Sequence, residues 1–124
     1  MGQYLIDNNV ISNYLSNLFS INGMVFIGEV FDEIPNMSGV TEIEALSWIN
    51  TDKGKEKISK EFIFDANVLP PSQAIVNQCI AIKRSRKIKT PDAATAIVHN
   101  LILLTSDMGF DNILGLETSN PLDL

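Results

Sequence analysis

Leu101 to Leu104 are four consecutive apolar residues, placed directly after a segment that has both a helical start, Thr90-Pro91-Asp92, and a helical stop, Asn100. A strand with one face in water alternates apolar and polar residues, so an unbroken run predicts a strand covered on both faces, which is the situation in a parallel sheet flanked by helices. Thr90 is read as the N-cap, Pro91 as the first helical residue, Asp92 as an acid facing the helix dipole and Asn100 as a left-handed cap. A helix delivered straight into a doubly covered strand is half of a crossover unit. The remainder of the chain must supply the other strands and layers.

It does so by alternation. Tyr4, Leu5 and Ile6 form a short apolar run ended by Asp7, and Val10, Ile11, Tyr14, Leu15 and Leu18 then follow at helical spacing. Met24, Ile27, Phe31 and Ile34 mark a second helix ended by Pro35. Met37 to Val40 reads as a second strand leading into Thr41, after which Ile43, Leu46 and Ile49 restore helical spacing. The polar stretch 53–61 keeps one apolar edge, Ile58 and Phe62, and predicts a short exposed helix. Val68 and Leu69, stopped by Pro70-Pro71, suggest a third strand, and Ser72, Ile75, Cys79 and Ile82 a helix that ends in basic residues. A last short strand falls near Leu116. Strands alternating with helices predict an α/β fold with a mostly parallel sheet and helices on both sides, over residues 1–124 as a single domain.

Charge is distributed unevenly. The formal net charge is −6, but residues 1–52 hold seven acids and no base, residues 53–89 hold all nine bases, and residues 90–124 hold five acids and no base. A basic middle between acidic ends keeps a polyanionic partner in play. The hydrophobic content of 45% is too high for disorder, and no apolar run is long enough to span a membrane. Cys79 is the only cysteine, so no internal disulfide forms, and the apolar start, cut off at Asp7 without a basic leader, is not a secretory signal. A cytoplasmic protein is expected.

The acids are placed where an open parallel sheet binds ligands, beyond the carboxyl ends of its strands. Asp7 ends the first strand, Glu44 lies in the helix after the second, Asp92 opens the helix before the fourth, and Asp107 follows the fourth, with Asp111 one turn on. Singly, each has an ordinary explanation: Glu44 completes a capping box with Thr41, and Asp92 complements a dipole. Together they would repel, and neither acidic segment contains a Lys or Arg to offset them. Such a cluster binds a cation or raises its pKa values. Oxygen-only ligands favour Mg²⁺ or Mn²⁺, and no Cys/His set exists for zinc. His99, the one histidine, sits near a helix C-terminus and is assigned a dipole role.

Three blocks carry a family resemblance: residues 4–12 around Asp7, residues 38–44 ending in Thr41 and Glu44, and residues 90–96 with Asp92, followed by Leu103 to Asp107. With the closing Asn120-Pro121, their order and spacing resemble the PIN-domain ribonucleases, most closely the VapC-type toxins of toxin-antitoxin modules. The resemblance implies a three-layer, PIN-like domain with a five-stranded sheet of order 3-2-1-4-5, bringing Asp7 and Asp107 together. It also implies that Asp7, Glu44, Asp92 and Asp107 are the catalytic, metal-binding quartet, with Glu42 outside it. It further implies RNA as substrate, a homodimer and an antitoxin protein partner. Two residues depart from the family pattern: Asn8 stands where Thr or Ser is common, and Gly109 where many relatives carry a further acid, so that either Asp111 compensates as a ligand or a second metal is weakly held.

The expected chemistry is hydrolysis of an RNA phosphodiester by one or two Mg²⁺ or Mn²⁺ ions. Asp7, Glu44 and Asp92 would hold the first metal and Asp107 would complete the site. Lys83 to Lys89 are the candidate backbone contacts, whereas Lys53 to Lys60 are read as a solvated charge run. Ser12 is read as a solvated helix residue. A response-regulator receiver shares the α/β pattern but needs a Lys after the last strand, and no Lys follows Lys89. The remaining alternative is a catalytically silent PIN-like module that binds RNA or protein.

Overall fold

The computed structural model describes residues 3–47, 52–84, 90–110 and 112–124. Five short strands, β1 (Tyr4–Ile6), β2 (Asn36–Ser38), β3 (Asn67–Leu69), β4 (Ile102–Leu104) and β5 (Glu117–Ser119), form one sheet. All neighbours are parallel and the order is β3-β2-β1-β4-β5, as the resemblance implies. Among the described residues, six α-helices connect them: α1 (Asn8–Leu15), α2 (Ile21–Asp32), α3 (Gly39–Leu46), α4 (Lys53–Asp65), α5 (Gln73–Lys83) and α6 (Thr90–His99).

The central strands behave as their apolar runs require. Leu5 pairs with Leu103 and Ile6 with Leu104, and all four are fully buried. Side chains alternate across a strand, so the two pairs serve opposite layers. Ile6 and Leu104 join Val10, Ile11, Ile27, Val30, Ala45 and Ile63 from α1 to α4 on one face. Leu5 and Leu103 join Ile75, Ile82, Ala93, Ala94 and Ala96 from α5 and α6 on the other. Removing such surface from water contributes roughly 1.5–3 kcal/mol per large aliphatic side chain. No described helix is long and apolar enough to cross a membrane.

The structure departs from the periodicity at four places. The second helix stops at Asp32 rather than Ile34, because Ile34 takes a left-handed φ of 57° that turns the chain into Pro35 and β2. The second strand starts earlier than expected, at Asn36. This polar residue is buried there because its amide donates to the Tyr4 carbonyl at 3.0 Å and its Oδ1 accepts from Asn67 at 2.9 Å. The third helix starts at Gly39, not after Thr41: the N-cap is Ser38, whose Oγ accepts from the Thr41 amide at 3.1 Å. Glu44 is therefore in the second turn and belongs to no capping box. In α4 the buried edge is Ser59 and Ile63, with Phe62 stacked on Phe31 at 4.4 Å, while Ile58 stays exposed.

Helix α6 also differs in its cap. Thr90 is within the helix, and its buried Oγ1 has no hydrogen-bond partner among the described residues, so it makes no side-chain cap. Asn100 has the expected left-handed φ, 56°. Asp111 and the basic residues Arg86, Lys87 and Lys89 lie outside the described residues.

Candidate functional site

The chain runs from β1 outward to β2 and β3, then returns to add β4 and β5 on the other side of β1. Strand order reverses between β1 and β4, and the crevice at their carboxyl ends is where such sheets bind ligands. Asp7 follows Ile6 directly at that edge, its amide bonded to the Leu104 carbonyl at 3.0 Å. Although Asp7 is the N-cap of α1, its carboxylate makes no capping bond. It is turned across to β4, where Oδ2 accepts from Thr105 Oγ1 at 2.8 Å and from Asn9 Nδ2 at 3.2 Å.

Asp92 arrives from the opposite layer, in the first turn of α6, and is equally buried. Its Oδ1 accepts from Ser38 Oγ, and both its oxygens lie within reach of the Thr41 hydroxyl, at 3.1 and 3.2 Å. Ser38 thus serves twice, as the cap of α3 and as a donor to Asp92. Burial, and after it the negative charge of Asp7, push the Asp92 carboxyl up to about 7, against the opposing pull of the Ser38 and Thr41 hydroxyls. A hydrogen bond to Asp7 further favours its protonated form. Two carboxyl groups from opposite layers are therefore brought together without both being comfortable as anions.

The other two members of the expected quartet sit differently. Glu44 is partly buried on α3, one turn beyond Thr41 and so on the same side of the helix. Asp107 is exposed just past β4, where its Oδ1 accepts from the Gly109 amide at 2.9 Å and opens the short 3₁₀ turn Met108–Phe110. Among the described residues, no three His, Cys, Asp or Glu side chains have the spacing of a metal site. The structure thus joins Asp7 to Asp92 and, because β1 lies beside β4, brings Asp107 to the same sheet edge, where its side chain is exposed. Glu42 lies instead against an apolar hollow of about 280 Å³ with Val40, Ile43, Leu69 and Pro71.

Four polar residues outside the quartet complete the site: Asn9, Ser38, Thr41 and Thr105. Their signal in the sequence was only that they lie inside the blocks that resemble the family, next to its acids. Ser12 is exposed, as expected of a solvated helix residue. Glu56 takes an ion pair from both Lys53 at 3.1 Å and Lys60 at 3.4 Å, which fits the reading of that cluster as surface charge. His99 ends α6 and is exposed.

No family model matches the sequence, and no curated protein does. Solved structures do match by shape. Over 98% of this chain and 99% of the other, the fold superposes on a chain of FitAcB from Neisseria gonorrhoeae with a TM-score of 0.77 and 22% identity. VapBC2 from Rickettsia felis, bound to a DNA fragment from their promoter, contains a chain matched at TM-score 0.75 and 14% identity, with coverage of 94% and 97%. A toxin-antitoxin complex from Klebsiella pneumoniae contains one matched at TM-score 0.70 and 22% identity, with coverage of 95% and 97%. At these identities the likeness is one of fold, and the fold is PIN-like.

Proposed function

We propose that this chain is an endoribonuclease that hydrolyses RNA phosphodiester bonds with Mg²⁺ or Mn²⁺, and is the toxin of a toxin-antitoxin pair. One observation carries the reading: Asp7 and Asp92, buried and opposed, meet at the switch point of a parallel sheet, where burial, and after it the charge of Asp7, raise the pKa of Asp92. Repulsion of this kind is relieved when a hard cation supplies the opposing charge, and oxygen donors suit Mg²⁺ or Mn²⁺. When bound, the cation would supply charge for the scissile phosphate and a water of lowered pKa.

Each candidate site residue has a part in this reading. Asp7 and Asp92 hold the cation, and their protein partners keep each carboxylate in one orientation. Glu44, on the Thr41 side of α3, and Asp107, at the rim, complete the donor set, with Asp111 as a further ligand. Lys83 and Arg84, at the end of α5, contact the RNA backbone. The toxin assignment, with an antitoxin protein partner, is supported by the likeness to chains from VapBC2, FitAcB and a toxin-antitoxin complex, and a homodimeric state is proposed from the family resemblance of the sequence alone.

The silent-module alternative draws on the absence of a three-ligand metal group among the described residues. Incubation of the purified protein with mixed RNAs and Mn²⁺, beside Asp7→Asn and Asp92→Asn variants, separates the two. Wild type should cleave, each variant should lose activity by at least about a hundredfold, and a chelator should abolish cleavage. Cleavage that survives both substitutions or the chelator would overturn the nuclease reading, and stable RNA binding without cleavage would favour the module.

A further inference from the structure

The Thr105 hydroxyl uses its whole hydrogen-bonding capacity at the site. It donates to Asp7 Oδ2 at 2.8 Å and accepts from Asn9 Nδ2 at 3.3 Å and from the Asp107 amide at 3.1 Å. A hydroxyl has one proton and two lone pairs, so three partners exhaust it. Asn9 closes the figure. Its two amide protons go to Asp7 Oδ2 and Thr105 Oγ1, and its Oδ1 accepts from the Ser106 amide at 3.2 Å. The bracket is built from three separate elements, the end of β1, the first turn of α1 and the segment after β4. Thr105 itself is only 2% exposed, so water does not compete for these bonds.

We infer that Thr105 is a positioning residue that sets the orientation of Asp7 and the path of the segment carrying Asp107, so that both acids answer to one hydroxyl. The inference rests on the nuclease reading for its purpose and on geometry alone for its substance. Both donors of the bracket, Thr105 and Asn9, land on Asp7 Oδ2, which leaves Oδ1 as the oxygen outside the bracket. The Asp107 amide, held by Thr105, aligns the turn in which Asp107 Oδ1 accepts from Gly109. Rotation of the Thr105 side chain would therefore release Asp7 and Asp107 together. This links a buried acid to an exposed one that shares no direct bond with it in the described network.

Thr105→Val keeps the shape and removes the hydroxyl, while Thr105→Ser keeps the hydroxyl. Two measurements on the metal-free and Mn²⁺-titrated full chain decide the matter. Amide hydrogen exchange without metal should be about tenfold faster at Asp107 in Thr105→Val and near wild type in Thr105→Ser, reflecting loss of one buried hydrogen bond. Calorimetric Mn²⁺ affinity should weaken by about tenfold in Thr105→Val and recover in Thr105→Ser. Unchanged exchange at Asp107 in Thr105→Val overturns the inference whatever the metal data show. Faster exchange there in Thr105→Val, with no Mn²⁺ binding by wild type, upholds the positioning role and sinks the metal-dependent nuclease reading. Altered exchange with unaltered Mn²⁺ affinity overturns the link from Thr105 to the metal ligands.

Discussion

Asp7 and Asp92 lie far apart along the chain and come from opposite layers of the fold, and burial, with the charge of the first, raises the pKa of the second to about 7. Neither side chain is more than a few per cent exposed. Water therefore cannot screen the repulsion, and each carboxylate depends on hydroxyl donors from a neighbouring element.

This pair makes stability depend on pH with an unusual sign for an acid. A carboxyl whose folded pKa lies above its unfolded value binds more protons in the native state between the two values, so stability falls as pH rises through that window. The metal-free protein should be more stable at pH 5 than at pH 8, by up to a few kcal/mol. Asp92→Asn should remove most of that slope. Urea unfolding at the two pH values, with and without Mn²⁺, checks it, and Mn²⁺ should restore stability at pH 8 if it binds the folded state. A wild-type protein more stable at pH 8 than at pH 5 in the absence of metal would contradict the raised pKa of Asp92.

Ser38 has two duties that fail together. Ser38→Ala removes the cap of α3 and a donor to Asp92, and should cost about 2 kcal/mol in urea unfolding. Ser38→Thr should recover most of this, because it retains the hydroxyl. A loss below about 0.5 kcal/mol in Ser38→Ala would show that neither bond contributes.

Gly23 reverses the usual helix rule. An alanine in a helix normally stabilises it by about 1 kcal/mol relative to glycine. At Gly23, in the first turn of α2, an added Cβ would lie 2.9 Å from Phe19 Cβ and 2.9 Å from the Pro121 carbonyl oxygen. Gly23→Ala should therefore lower stability, by about 1–3 kcal/mol, because the C-terminal turn must shift. Thermal melting of the variant at or above wild type would show that the turn yields freely.

The lysines of α4 should be replaceable. Lys60→Gln removes an exposed ion pair with Glu56 that is shared with Lys53, so its effect on stability should stay below about 1 kcal/mol. RNA affinity measured by fluorescence anisotropy should change by less than about twofold, whereas Lys83→Gln with Arg84→Gln should weaken it and flatten its salt dependence. Equal losses from both surfaces would assign the RNA path to α4 as well.

The central strands were legible because Leu5, Ile6, Leu103 and Leu104 are apolar without interruption, and an unbroken run has few alternatives to a doubly covered strand. β2 was harder to read, since a three-residue strand leaves periodicity little to measure and its first residue is a buried Asn. Asn36 is tolerated by partners on β1 and β3, which no local pattern encodes. The start of α3 was missed for a related reason: Thr41 and Ser38 are both good caps, and the choice is settled when Thr41 is buried against Asp92. Ile34 shows the converse, an apolar residue at helical spacing that the turn into Pro35 takes out of the helix.

The amino-acid sequence alone determined the alternation of strand and helix, and it named the acids at the carboxyl edge. Hydrophobic periodicity and end signals are local, so residues close along the chain carry them. Only the tertiary structure decided which acids meet. Asp7 reaches Thr105 because β1 and β4 are hydrogen-bonded neighbours, and Asp92 reaches Ser38 and Thr41 because α6 returns against β2 and α3. Charge repulsion, burial and hydroxyl capacity act over a few ångströms in space, and chain separation does not specify that distance.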